Sequence, residues 1–184
     1  MIRNAITACL LLGCSDPKPI TISADELHLN RSTGLYYHQE NLFSGTAMAH
    51  YPNAQIAERG QFKKGKRHGL REKWYPDGRL SERLSYADGK LDGKGQTWWK
   101  DGTVRSESNF VDGVAHGPQQ QWYQDGQIFK SILLNHGREE GLQRAWRPNG
   151  AIYNNYEAKN GRIFGLKRSK LCFELREEDI VSSD

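Results

Sequence analysis

Apolar and polar positions alternate along most of this chain, and a second, longer period lies over the alternation. In "EKWYPDGRLSERLSYADGKLDG", which begins at Glu72, an alternating run ends at an aromatic pair, breaks at Asp-Gly, resumes, and breaks again. Alternation sends successive side chains to opposite faces of a strand, so each run predicts a strand and each Gly-punctuated gap a turn. Asp-Gly and Asn-Gly tolerate the positive φ that tight hairpin turns demand. The first strand of this unit is expected from about Leu70 to Tyr75 and the second from about Arg79 to Tyr86, close to the common strand length.

The unit then recurs without insertion. Gly78, Gly102, Gly126 and Gly150 fall 24 residues apart, and Gly65, Gly89, Gly113, Gly137 and Gly161 keep the same spacing. Trp74, Trp98, Trp122 and Trp146 keep it too. A fixed period of this length marks a stacked repeat, in which a unit too small to bury its own apolar anchor is completed by its neighbours. The expected fold is all-β: an elongated antiparallel β-meander of stacked 24-residue β-hairpin repeats. Five repeats give about ten strands and, at about 4.8 Å per strand, a sheet roughly 45–50 Å long.

Two columns on the second strand share the Trp parity: Ile56, Leu80, Val104, Ile128, Ile152, and six residues on Phe62, Tyr86, Phe110, Leu134, Ala158. With the Trp column they are expected to form one apolar stripe, and a structural role for Trp74, Trp98, Trp122 and Trp146 outweighs a ligand-stacking one. The adjacent column, Tyr51, Tyr75, Trp99, Tyr123 and Arg147, is expected to face the other way over small or polar neighbours. It is the candidate partner-binding row; the competing reading packs each ring over its own turn.

Composition shifts this picture little. Hydrophobic residues make up 36% of the chain, which argues for a thin core, and 19 Gly fit many turns. A net charge of +4 from 26 basic and 22 acidic residues is too mild and mixed to imply nucleic acid.

The N-terminus says more. Arg3 precedes a short apolar run ending in "LLLGC" at Cys14, which has the form of a lipoprotein signal peptide and is too short to span a bilayer. "ITAC", ending at Cys9, fits less well because almost no apolar run precedes it. By resemblance to bacterial lipoboxes, Cys14 becomes the lipidated N-terminus, and acyl chains worth about 0.8 kcal/mol per buried methylene hold the protein on the membrane. Ser15 after that cysteine favours the outer membrane in a Gram-negative cell by the same sorting rules. Cys172 is then the remaining thiol, read as a small apolar residue before a nucleophile.

The boundaries that follow are 1–13 signal peptide, 14–24 lipidated tether, 25–40 N-terminal leader or cap, 41–165 repeat array, and 166–184 C-terminal cap strand with an acidic tail. In the last of these Leu171, Phe173 and Leu175 alternate with polar neighbours, as an edge-covering strand would.

The unit "GxxxxWYxDGxxxxxxxYxDGKxxG", read from "HGLREKWYPDGRLSERLSYADGKLDG" and "GKGQTWWKDGTVRSESNFVDGVAHG", resembles the MORN repeat, in the bacterial variant found in YwqK-type antitoxin proteins. The first unit carries Ala54 where the turn glycine belongs. The resemblance implies protein or lipid contact at membranes, or alternatively an antitoxin that neutralises a partner by binding it.

Chemistry is sparse. His68 and His116 occupy one site in alternate repeats and should stand roughly 19 Å apart, too far to share a metal ion. Asp77, Asp101 and Asp125 recur as turn residues. The reading is a non-enzymatic module without cofactor, catalytic residue or metal, anchored to the cell envelope and contacting a protein, glycan or lipid.

Overall fold

The computed structural model describes residues 20–166. Cys9, Cys14, Cys172 and the segment bearing Leu171, Phe173 and Leu175 lie outside the described residues. Strands dominate, and the repeat hairpins stand where the pattern puts them. The leader contains β1 (Ile20–Ser23), β2 (Leu27–Asn30), β3 (Leu35–His38) and β4 (Asn41–Leu42). The hairpins are β5 (Gly45–His50) with β6 (Ile56–Lys63), β7 (Lys66–Trp74) with β8 (Leu80–Ala87), and β9 (Lys90–Trp98) with β10 (Val104–Val111). Beyond the two-residue β11 (Val114–Ala115) come β12 (Gly117–Trp122) with β13 (Ile128–Asn135). The two-residue β14 (Arg138–Glu139) precedes β15 (Gly141–Trp146) with β16 (Ile152–Lys159), and β17 (Arg162–Leu166) follows.

From β5 onward each long strand pairs antiparallel with the next in sequence, so the array is a meander. β1 lies parallel against β5 and covers the first edge, while β2, β3 and β4 form a separate small sheet. The ordered strand β1 thus begins at Ile20, inside the 14–24 segment read as tether.

One expectation fails for a definite reason. Lys73 pairs with Glu82 but Trp74 pairs with Leu80, so Ser81 is an extra residue on its strand. The other four hairpins shift register at the matching place, between Ala49 and His50, Val104 and Ser106, Gln121 and Trp122, and Ala145 and Trp146. A bulge of one residue reverses the parity of everything beyond it. Leu80 therefore shares a face with Trp74, whereas Leu84 and Tyr86 stand on the opposite one. The single stripe is really two: the Trp column with Ile56, Leu80, Val104, Ile128 and Ile152 on one face, and the Phe62 column on the other.

That other face carries the compact part of the core. Phe43, Ala47 and Phe62 are buried, with Ile22, Leu27 and Tyr36 of the leader packed on them. Tyr36 meets Phe62 edge-on at 4.9 Å and Phe43 lies 5.5 Å from Phe62. The leader is therefore a cap on the first repeat. A second buried group, Ala145, Ile152, Tyr156 and Ala158, sits in the last hairpin. Between Phe62 and Ala145 no apolar side chain among the described residues is fully buried. There Gly95 matters: a Cβ on it would stand 2.9 Å from Leu84 and 3.2 Å from Phe110, so its absence lets both side chains lie across the strand.

Candidate interaction surface

The Asp-Gly turns form one row along the sheet, and their chemistry is consumed locally. Asn53, Asp77, Asp101, Asp125 and Asn149 each accept a hydrogen bond from the main-chain N–H two residues on, at 2.9–3.2 Å. The recurring acids are turn-makers, as the sequence suggests.

Beside them lies the candidate partner-binding row. The hydroxyls of Tyr51, Tyr75 and Tyr123 donate to the main-chain carbonyls of Trp74, Trp98 and Trp146 at 2.7, 2.8 and 2.8 Å. Trp99 does the same through its indole N–H to the Trp122 carbonyl at 3.3 Å. The acceptor is always one repeat ahead, two strand spacings or about 10 Å away, so each ring lies along the array and bridges neighbouring units. These residues remain half-buried, with part of each ring open to solvent. Arg147 occupies the place in the last hairpin, and Lys170, one period beyond Trp146, lies outside the described residues. Sequence reasoning missed the bridge; the offset of 23 residues between the Tyr and Trp columns was its only trace.

The opposite row of turns has its own device. Lys64, Asp88, Asp112 and His136 all adopt positive φ, between 48° and 52°. Their N–H groups donate to Ser44 Oγ, His68 Nδ1, Asp92 Oδ2 and His116 Nδ1 at 2.8–3.4 Å. His68 and His116 are turn caps, and their column is continued by Ser44 and Asp92. The His136 ring also meets the His116 ring edge-on at 4.8 Å, a neighbour relation that the repeat spacing of His68 and His116 did not suggest. Among the described residues no group of three or more His, Cys, Asp or Glu is placed to hold a metal ion.

On the Trp face a polar row crosses the array in register: Arg59, Glu72, Arg83, Gln96, Glu107, Gln120, Ser131, Arg144 and Asn155. Glu72, 2% exposed, accepts from Arg59 Nε at 3.0 Å and Arg83 Nε at 2.9 Å. Burial alone raises its pKa, but the two guanidinium hydrogen bonds and charges outweigh that and hold the carboxyl below the usual range. On the other face Glu58 behaves likewise: burial opposes, and Arg71, Lys73 and Arg67 prevail. Arg71 bridges Glu58 and Glu82 at 2.8 and 2.7 Å. In the last hairpin burial pushes the Tyr156 hydroxyl up to about 12, helped by its 2.9 Å bond to Glu139.

The Trp face also bears exposed apolar side chains, three of them near its C-terminal end. Leu133, Leu142 and Phe164 are 41%, 40% and 42% exposed there, beside exposed Pro118, which pairs with Leu133. Two concavities also stand out. One, of about 560 Å³, lies where the leader meets the first hairpin, between Ile20, Leu42, Phe43, Phe62 and His68. The other, of about 490 Å³, opens beside the turn row at Trp99, Arg105, Tyr123 and Phe129.

No helix among the described residues is long and apolar enough to cross a membrane. No curated protein matches the chain. The family model that does match is the MORN repeat variant, over residues 67–88 and 91–112. Those spans coincide with β7–β8 and β9–β10, so these two hairpins are MORN repeat variants and the all-β meander around them is built on the same plan.

Proposed function

We propose that this chain is a non-enzymatic repeat module, lipid-anchored in the cell envelope through Cys14, that presents one long face to a protein partner. MORN repeats are generally involved in protein or membrane interaction. The observation that carries the protein reading is the group of exposed apolar side chains Leu133, Leu142 and Phe164 at the C-terminal end of the Trp face, a face that also bears exposed Leu70 and Val111. Exposed apolar side chains gathered in one place mark interaction sites more often than scattered ones do. Tyr51, Tyr75, Trp99, Tyr123 and Arg147 offer a second contact row on the turn side.

The test has two parts. Labelling with a palmitate analogue should mark the wild type and not Cys14→Ser, and only the wild type should fractionate with membranes. A photo-crosslinker at Leu142 should then capture an envelope protein that one at Lys94, on the same face, does not. An unlabelled protein found in the soluble intracellular fraction would overturn the anchored reading and leave the antitoxin reading suggested by the family resemblance.

A further inference from the structure

We propose that the concavity between the third and fourth hairpins is a binding site for an acidic sugar, a pyranose carrying a carboxylate. It goes beyond the protein-contact reading and depends neither on the lipid anchor nor on Leu142.

The site is where the repeats stop being alike. One repeat back, in the second hairpin, the matching ground carries Lys73 and Glu82 and is filled by long side chains: Arg71 bridges Glu58 and Glu82, and Lys73 Nζ lies 4.0 Å from Glu58. One repeat later Lys73 and Glu82 are replaced by Thr97 and Ser106, paired in register and joined by a 2.6 Å hydroxyl hydrogen bond. Short side chains in place of long ones leave the ground open. Its volume of about 490 Å³ falls inside the range of about 300–1,000 Å³ common for small-ligand sites.

Its walls differ from the other repeats as well. Position 81 is Ser; one repeat on it is Arg105, and two repeats on it is Phe129. The Arg105 guanidinium lies 4.7 Å over the Trp99 ring, and Phe129 leans on Tyr123 at 5.1 Å with a 53° tilt. A guanidinium stacked on an indole keeps its N–H edge outward in a fixed plane, suited to grip a carboxylate in two bonds. Among the described residues no carboxylate pairs with Arg105, whereas Arg59, Arg67, Arg71 and Arg83 each have one. Aromatic faces are electron-rich and attract the C–H side of a sugar ring, while Thr97, Ser106 and Gln121 supply hydroxyl and amide partners for its hydroxyl groups.

Two other anionic ligands fit less well. A peptide that binds a sheet by adding a strand needs a free edge, and β9, β10 and β12 are each paired on both sides. An anionic membrane is held by clusters of about four to eight basic residues, and among the described residues Arg105 is the single cation lining this site.

The experiment titrates the purified full chain with trigalacturonate and with its neutral methyl ester, following tryptophan fluorescence and heat. The acid should saturate with a Kd of about 1 mM or tighter, and the ester should bind about tenfold more weakly. Arg105→Ser should bring the acid down to the ester's level. Phe129→Ser should weaken both, and Thr97→Lys with Ser106→Glu should abolish binding by refilling the ground. Each replacement is the residue that this chain already carries at the matching place in its second hairpin. Should the double variant fail to fold, as judged by circular dichroism, Arg105→Ser decides alone. The proposal is overturned by absence of saturation, by equal binding of acid and ester, or by an Arg105→Ser variant that binds as the wild type does. Saturation by a glutamate-rich peptide or by phosphatidylglycerol vesicles, with none by trigalacturonate, overturns it too and moves the anion to that source.

Discussion

A single hydroxyl does unusual service in this protein. Tyr75 fixes its own turn by main-chain bonds to Arg79 and Gly78, and its side chain then reaches the Trp98 carbonyl in the next repeat. Tyr75→Phe removes that bond and nothing else, so it should cost about 1 kcal/mol, read as a lower urea midpoint with an unchanged slope. Glu72 makes a sharper case. Its folded pKa lies below the unfolded value, so the unfolded chain takes up the proton first as pH falls. The stability it contributes is complete above the ordinary Glu pKa of about 4.3 and is lost as pH falls through the lower folded value. Glu58 acts in the same sense. The melting temperature should therefore hold from pH 7 to about 5 and drop below that. Glu72→Gln should melt lower at pH 7, because it leaves Arg59 and Arg83 facing each other, and the gap from wild type should close toward pH 3.

At the scale of the hairpin, the turn row has one flaw. Ala54 sits at φ 64° where the later units place Gly78, Gly102, Gly126 and Gly150 at 84–96°. An L-residue held there costs about 1–2 kcal/mol, and glycine gives back about 0.4–1 kcal/mol through a freer unfolded chain. Ala54→Gly should raise stability by about 0.5–1 kcal/mol, measurable by chemical denaturation. That flaw was legible in the sequence, as were the hairpin borders, because Asp-Gly and the Trp column are local signals repeated in each unit. The faces were not. Ser81 looks like any polar strand residue, and only its pairing shows that it is the extra one that separates Leu80 from Leu84. The acidic-sugar ground was hidden for a related reason: Arg105 and Trp99 are six residues apart in sequence but meet by folding back across the turn. The candidate row of Tyr51, Tyr75, Trp99 and Tyr123 was visible as a column, but a column does not show which atoms its hydroxyls and its indole N–H bond.

Across the described residues the repeat array is one long layer, and its buried apolar side chains lie at the two ends. Phe62 is 6% exposed under the leader, whereas Phe110, its counterpart two repeats on, is only half-buried. Phe62→Ala should cost about 3–4 kcal/mol and Phe110→Ala markedly less, a contrast that equilibrium unfolding of the two variants will show. The middle hairpins hold through ladder bonds, Tyr bridges and the charged row more than through burial. The parallel strand at the first edge also fixes the side from which the proposed anchor would act. β1 runs alongside β5 with Ile20 opposite Gly45 and Ser23 opposite Met48, so the chain enters at the long side that bears the Lys64–Gly65 turn. The lipid anchor proposed at Cys14 would therefore pull on that side. Its far side, about 25 Å away across strands of eight residues, carries the Asp-Gly turns, the tyrosine bridges and Arg105. On a membrane the protein would stand like a comb gripped by its spine, its aromatic teeth turned outward to whatever passes.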